Sequence, residues 1–423
     1  MVFVLNKNKK PLEPVHPAVA RKLLKSGRAV VHKIYPFTIR LKELVTTDVV
    51  PNYRLKIDYG SKHTGIAILK NNEVVFMAQI HHRTNIKSKL LDRRAFRRNR
   101  RNRKTRYRQV RFLNRRRKDG WLPPSLQSRV QNIKTIVNRL IKICPIGSIS
   151  YENIKFDTQR LRNPNISGVE YQQGPLIGRK PKEYLIEKFG RRCSYCGKEH
   201  VRLEKEHIIP ESRGGTDRID NLRLACRECN LKKNDKTAKE FGYPEIQKQV
   251  KESLRNTAIV NSIRTAINNV LKSTGLPIEY GRGAITKLNR ISIGLPKDHH
   301  FDAICVGEST PANIIFKTNT VLHITAKGRG SRQIAQLDKY GFPRQYRSRQ
   351  KFYFGFMTND MVKAKNKNGT YLGYVVCRKS GSFYIPINGK QVSVNYKNCK
   401  LVQRFDGYTY ELKKLNLDKE VKL

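Results

Sequence analysis

The amino-acid sequence predicts an α/β protein whose sheet-bearing core is split into separate stretches of chain and interrupted by a small module stapled by a metal ion. Three observations predict it. β-rich runs such as "YRLKIDYGSKHTGIAILKNNEVVFMAQI" are followed by long helical runs and by a further strand, "SISYENI". Two Cys-x-x-Cys pairs, Cys193/Cys196 and Cys226/Cys229, bracket a segment too short to bury a core of its own. The last stretch, residues 313–423, alternates Tyr, Phe and Val with turn residues and reads as β-hairpins closing into a small barrel.

At 423 residues with 38% hydrophobic side chains, the chain can support two to four domains with real cores. Lys and Arg number 87 against 33 Asp and Glu, a net charge of +54. A folded chain tolerates such self-repulsion when a polyanion neutralises part of it, which points to nucleic acid. A membrane is excluded as partner, because no apolar run reaches about 18 residues and no basic helix carries a broad apolar face. In "MVFVLNKNKK" the apolar residues precede the lysines, the reverse of a signal peptide, so the chain reads as soluble and cytoplasmic. The unpaired Cys144, Cys305, Cys377 and Cys399 are scattered, a pattern of reduced core thiols rather than disulfides.

Taken in order, residues 1–50 form a basic module: strand "VFVL", turn "NKNKKPLEP", a helix closed by Gly27, then strand-like alternation. In residues 51–88, Asp58 ends a strand, Gly60 and Gly65 permit a tight return, and Asn71-Asn72 makes the next turn. Asp-x-Gly followed by Gly-x-Ala is shared by ribonuclease H-like nucleases and actin-like ATPases and does not choose between them. Residues 93–118 hold 15 Lys/Arg in 26 positions and no acid. They predict a helix roughly 39 Å long whose like charges need phosphates as partners. A Pro-containing break leads to a helix and then to Glu152 on its strand, within 121–162. Residues 163–188, rich in Gly, Asn and Pro, read as a linker into the cysteine module, 189–240. Apolar spacing over 248–274 predicts a helix stopped by Gly275, within 241–312.

Two constellations carry chemistry. The paired cysteines form two knuckles, and four thiolates complete a closed tetrahedral shell for one structural Zn²⁺. Between them lie Glu206-His207-Ile208-Ile209-Pro210, Gly214-Gly215 and Asn221-Leu222, and Asn230 follows Cys229. This series resembles the HNH nuclease motif. The resemblance implies that His207 is the general base, Glu206 and Asn230 hold one Mg²⁺, and Asn221 fixes the loop backbone. Such a division suits phosphodiester hydrolysis, which needs an activated water and a cation at the leaving oxygen. The second constellation is Asp58, Glu152, His299 and Asp302, with His299 and Asp302 on one face of a helix begun near "KDHHFDAICVG". His300 is the rival to His299. Three carboxylates and a His at strand and helix ends suit a site for two Mg²⁺ ions. They resemble a split RuvC nuclease, which decides for the ribonuclease H-like core.

With Pro11-Leu12-Glu13-Pro14 at the start, the whole order resembles the IscB family, transposon-encoded RNA-guided DNA endonucleases related to the ancestors of type II CRISPR effectors. The family's motif there usually reads Pro-Leu-Met-Pro, so Glu13 departs from it. The resemblance implies an Arg-rich bridge helix over residues 89–120 that grips guide RNA and heteroduplex. The grip is expected from Arg93, Arg94, Arg97, Arg98, Arg100, Arg101, Arg103, Arg106, Arg108, Arg111, Arg115 and Arg116. It further implies that HNH cuts the guide-paired strand, RuvC cuts the displaced strand, and the C-terminal barrel contacts guide RNA and a short DNA motif beside the target. The expected partners are a guide RNA of the omega type and double-stranded DNA, in a monomeric ribonucleoprotein near the nucleoid. Two other readings stand beside it: a guide-independent HNH or homing-type endonuclease, and a nucleic-acid-binding accessory protein with idle centres.

Overall fold

The computed structural model describes residues 1–45, 50, 52–102, 117–161, 166, 180–250, 254–328, 335–346, 350–387 and 389–415. The chain divides into two units, one of Met1–Lys155 with Ile259–Leu423, the other of Phe156–Ala258.

The first unit begins with β1 (Val2–Leu5), β2 (Pro11–Val15), α1 (Pro17–Lys25), β3 (Ala29–Lys33) and β4 (Thr38–Leu41), the strands ordered β2-β1-β4-β3. The sequence assigns residues 6–14 to a turn, but its second part, from Pro11, is strand. Asn6 Oδ1 accepts from the Lys10 N–H at 2.9 Å and Lys9 adopts φ +62°. The reversal therefore closes by residue 10, and Pro11–Val15 pairs with β1. Next come β5 (Tyr53–Tyr59), β6 (His63–Lys70) and β7 (Glu73–His81), an antiparallel meander. In β5 the odd positions Tyr53, Leu55, Ile57 and Tyr59 are buried apolar side chains, while the even positions Arg54, Lys56 and Asp58 put charge on the opposite face.

Helix α2 (Ile86–Arg101) has no buried residue. It covers the first part of the expected Arg-rich helix, whereas residues 103–116 lie outside the described residues. Helix α3 (Pro124–Ile141) buries Val130, Ile133, Ile136, Val137 and Leu140, an apolar stripe at helical spacing. It leads into β8 (Ile146–Glu152), which runs parallel to β5.

The second unit contains α4 (Pro181–Phe189), β9 (Leu203–His207), β10 (Leu222–Cys226), α5 (Arg227–Lys233) and α6 (Pro244–Lys248). Part of the expected linker is thus helical. Pro181 occupies the first turn, where its missing N–H does no harm, the Lys180 N–H reaches Glu183 Oε2 at 3.4 Å, and Leu185 is fully buried in the small core. Strands β9 and β10 form a two-stranded antiparallel sheet against which α4 and α5 pack.

Back in the first unit, α7 (Arg255–Lys272) is followed by β11 (Ile278–Gly281), α8 (Gly283–Ser292), α9 (His299–Ile304), β12 (Ile315–Phe316) and β13 (Thr320–Ala326). The main sheet reads β11-β8-β5-β6-β7-β13 and ends in β23 (Tyr408–Lys414), with β12 also on β7. Helix α9 packs on β5 and β6, where Phe301, Ile304 and Cys305 join Ala67, Leu69 and Met77 in one core. Its start lies so close that a Cβ at Gly65 would stand 1.7 Å from the His299 carbonyl oxygen, so only glycine fits there.

The remaining C-terminal strands do not close into the expected barrel. Hairpins β14 (Ala335–Leu337) with β15 (Pro343–Tyr346) and β16 (Phe352–Tyr353) with β17 (Phe356–Met357) are separate. Strand β18 (Met361–Asn366) sits between β19 (Gly369–Tyr374) and β22 (Cys399–Gln403), and β20 (Ser382–Ile387) pairs only with β21 (Lys390–Asn395). Phe383, Ile385, Val362 and Val375 give these small sheets a common core. Among the described residues no sheet closes, and the last strand leaves the group to pair with β13. No described helix is long and apolar enough to cross a membrane.

Candidate functional site

In the first unit the carboxylate-bearing elements are neighbours. Asp58 lies near the end of β5 and Glu152 ends the parallel strand β8, while Asp302 is on α9, packed against β5. Asp58 and Glu152 are 6% and 8% exposed. Charges held this close and this dry need compensation, and two of the three receive it. His299 Nδ1 lies 2.5 Å from Asp58 Oδ2, and Arg290 Nε lies 2.8 Å from Asp302 Oδ1. Glu152 has no basic partner among the described residues. Burial, then the charge of Asp58 and a hydrogen bond with it, push its carboxyl up to about 9, while Thr286 pulls the other way. Folding therefore favours the protonated form of Glu152, whose O–H hydrogen-bonds to Asp58. Burial and Asp58 also raise Asp302, against Arg290; the bond to Asp58 raises His299, against its own burial.

The start of α9 sets this geometry. Asp298 caps the helix by accepting the His299 N–H at 2.6 Å, and the His299 ring meets Asp58. His300 is buried beside Phe301, its Nδ1 3.4 Å from Asp298, so the structure places His299 and not His300 at the carboxylates. A Cβ at Gly283 would lie 2.9 Å from Glu152 Oε1, so α8 begins against the same carboxyl. Asp298, Arg290 and Thr286 escaped the sequence reading. Only Asp298 left a signal, an Asp directly before a helical stretch.

In the second unit the four cysteine sulfurs lie within 4.8 Å of one another, with Cys196 Sγ 3.7 Å from Cys226 Sγ. Burial pushes the Cys193 thiol up, but the backbone N–H groups of Cys196, Cys226 and Tyr195 overcome it and bring it down to about 7. Four sulfurs so placed fit a structural Zn²⁺.

Beside the cluster, β9 points alternate side chains at α5. Glu204 Oε2 accepts from Asn230 Nδ2 at 2.9 Å. Glu206, two residues on, is 4% exposed; it pairs with the fully buried Lys233 and accepts the Tyr195 hydroxyl at 2.6 Å. Burial and this bond push the Tyr195 hydroxyl up, which keeps it a donor. The expected sharing of a metal by Glu206 and Asn230 is therefore not what the structure arranges. The acid that meets Asn230 is Glu204, because a two-residue step on the strand matches the three-residue step from Asn230 to Lys233 on the helix.

His207 Nε2 lies 3.0 Å from Asp217 Oδ1, and His207, Glu211 and Asp217 offer ligand atoms within 4.8 Å of one another. Asn221 holds the intervening loop: its Oδ1 accepts from the Ile209 N–H, and its Nδ2 donates to the carbonyls of Ile209 and Thr216, all within 2.9–3.0 Å. Among the described residues only the cysteine set and His207/Glu211/Asp217 are this tightly grouped, so Asp58, Glu152 and Asp302 form a looser set.

Of the twelve arginines expected to contact nucleic acid, Arg93, Arg94, Arg97, Arg98 and Arg100 are exposed on α2 and Arg101 is half-buried at its end. Arg103, Arg106, Arg108, Arg111, Arg115 and Arg116 lie outside the described residues.

Comparison with known proteins adds independent findings. Residues 2–174 match the family described as RRXRR protein, a stretch that includes Arg97-Arg98-Asn99-Arg100-Arg101 of α2. Residues 193–244 match the family described as HNH endonuclease, which encloses the four cysteines, His207 and Asn230. No curated protein matches. Among solved structures, Streptococcus thermophilus Cas9 in complex with the GGAA PAM is 17% identical, with a TM-score of 0.36 over 59% of this chain and 32% of that one. The type II-C Cas9 of Actinomyces naeslundii is 18% identical, with a TM-score of 0.17 over 45% of this chain and 29% of that one. The match thus spans about a third of the length of those Cas9 chains.

Proposed function

We propose, on the premise that the chain is a relative of the IscB family through its RRXRR segment and its HNH endonuclease domain, that it is an RNA-guided DNA endonuclease with two metal-dependent centres. The observation that carries this reading is the coexistence in one chain of His207 inside the HNH segment and, in the other unit, a separate set in which the buried Asp58 and Glu152 stand with the partly exposed His299 and Asp302. A protein that merely bound nucleic acid would have no use for a carboxyl buried beside two others with no cation to pair with it.

In the HNH domain, a hydrogen bond donated by His207 Nε2–H to Asp217 leaves Nδ1 with the lone pair that takes the proton from an attacking water. Asn221 keeps the loop between them in register. Because Glu206 is committed to Lys233 and Tyr195, it does not fit the part of metal ligand.

In the other centre the donor set fits divalent cations. Mg²⁺ ions there would supply positive charge to the scissile phosphate. Asp58, Glu152 and Asp302 would hold them, with Glu152 giving up its proton as they bind. His299 and Arg290 keep Asp58 and Asp302 oriented meanwhile. The order of the sheet, three antiparallel strands running into the parallel β8 and β11, supports the RuvC-type, ribonuclease H-like reading of this unit. The exposed arginines of α2 support a grip on the guide and its duplex, with strand choice left to base pairing.

The test begins with the nucleic acid that accompanies the protein from its host. One structured RNA species, together with magnesium-dependent cutting of DNA complementary to part of it, is the expected result. Random fragments, or cutting of any duplex without RNA, would contradict the guided reading.

A further inference from the structure

The charged face of β5 continues past Asp58. Lys56 is two residues back and Arg54 four, about 7 and 13 Å along the strand at roughly 3.3 Å per residue. There they line a cavity of about 390 Å³ together with Asn52, Asn71, Ser148 and Ser309. That volume is within the range of about 300–1,000 Å³ typical of small-ligand clefts.

The charges at this cavity do not balance. The Lys56 side chain is fully buried, and its Nζ donates to the Val306 carbonyl at 2.9 Å and to Thr310 Oγ1 at 3.0 Å, both neutral oxygens. An ammonium has three N–H donors, so one is left without a partner among the described residues. Arg54 donates through Nη1 alone, to Ser150 Oγ at 3.2 Å and Glu279 Oε2 at 3.1 Å, which leaves Nε and Nη2. Glu279 is the one carboxylate in contact, and three of the four donors that reach it fall on its Oε2. It accepts from Ser150 Oγ, from Ser309 Oγ at 2.5 Å and from the Ser309 N–H at 2.8 Å, as well as from Arg54. Burial pushes the Glu279 carboxyl up, but these hydroxyl and amide donors bring it below the ordinary range, so it stays charged. Two cations against one carboxylate leave one positive charge at a wall lined with unspent N–H donors. A cation is excluded by that sign, and an apolar ligand by the lining, in which Leu69 is the sole apolar side chain.

We propose that this cavity binds a phosphate group. A tetrahedral oxyanion offers enough acceptor oxygens for the Arg54 fork, the Lys56 ammonium and the Asn52 and Asn71 amides at once, and it cancels the surplus charge. It is distinct from the carboxylate centre, which repels anions until cations are bound. The phosphate comes either from the backbone of a bound strand or from the free ion, and the chemistry of the site is the same for both.

The test uses the full-length protein in magnesium-free buffer, with inorganic phosphate exchanged for chloride at constant ionic strength so that screening is held fixed. Calorimetry should show phosphate binding to the native chain. Arg54→Gln and Lys56→Met should each weaken it about 10-fold or more, as loss of one charge-assisted contact predicts, while Lys379→Gln at an exposed site should not. Phosphate that displaces a short single-stranded oligonucleotide from the native chain but not from Arg54→Gln identifies a backbone phosphate as occupant. Binding without displacement identifies the free ion. If Lys56→Met does not fold, the half-exposed Arg54→Gln decides. No phosphate binding, or equal binding by the native chain and Arg54→Gln, would overturn the proposal.

Discussion

The two candidate centres differ in how the chain builds them. In the second unit everything from Cys193 to Asn230 lies within one short stretch, two strands and a helix are held beside four converging thiols, and Glu206 and Glu204 find their partners in Lys233 and Asn230. In the first unit the residues come from β5, β8 and α9, separated by most of the sequence, and the arrangement leaves a carboxyl without a counter-ion. One centre is stable as a local structure. The other is held by the surrounding sheet, and its electrostatic strain is what bound cations would relieve.

The sharpest way to break this comparison is to remove the staple. On the proposal that the four thiols hold a structural zinc, which contributes about 10–16 kcal/mol in small domains, Cys196→Ser with Cys229→Ser, or treatment with a chelator, should unfold the second unit. Hydrogen exchange should show protection lost across β9, β10 and α5 and kept across β5 to β8. Loss of protection in both units would refute the independence of the two.

Next in size is the buried pair. Glu206→Ala leaves the Lys233 ammonium buried and unpaired, which should destabilise the second unit by about 3–5 kcal/mol. Glu204→Gln, at a partly exposed position, should change stability by less than about 1 kcal/mol. Denaturant unfolding of the two variants would reverse the assignment if Glu204→Gln proved the more damaging.

A smaller effect separates the carboxylate centre from its counterpart. The Glu152 carboxyl stands near 4.5 when unfolded and about 9 when folded, so folding favours its protonated form. Its contribution to stability is complete below pH 4.5 and is lost as pH rises towards 9. Metal-free protein should lose a few degrees of melting temperature over that window relative to Glu152→Gln, and Mg²⁺ should restore stability to the native chain more than to the variant. Equal slopes with pH would show that Glu152 is not strained.

The smallest change is expected on the surface. Arg97→Gln on α2 should lower the dependence of log affinity for nucleic acid on log salt by about one, with little effect on folding. An unchanged slope would remove that side chain from the interface.

Legibility followed the same division. The cysteine knuckles stand at short fixed spacings that sequence alone picks out, and His207 and Asn221 follow from the resemblance of the series between them to the HNH motif. Asp58, Glu152 and Asp302 are far apart in sequence, and nothing in their spacing says that a parallel strand and a helix start will bring them together. Arg290 and Thr286 were invisible, because an Arg and a Thr on an amphipathic helix look like any others. Glu206 misled because adjacency to His207 in sequence is not adjacency to Asn230 in space; the alternation of β9 against α5 decides that. The Tyr/Phe/Val alternation of residues 313–423 predicted strands but not their sheets, so β23, expected in a barrel, is found beside β13.

The division of labour between the centres is tested most directly by strand-resolved cleavage of a DNA duplex with the co-purified RNA and Mg²⁺. His207→Ala should abolish one cut by a factor of about 10² or more, Asp58→Ala should abolish the other, and each variant should leave a single nick in the opposite strand. If either substitution removes both cuts while the variant remains folded and RNA-bound, the two pockets do not act as separate nucleases.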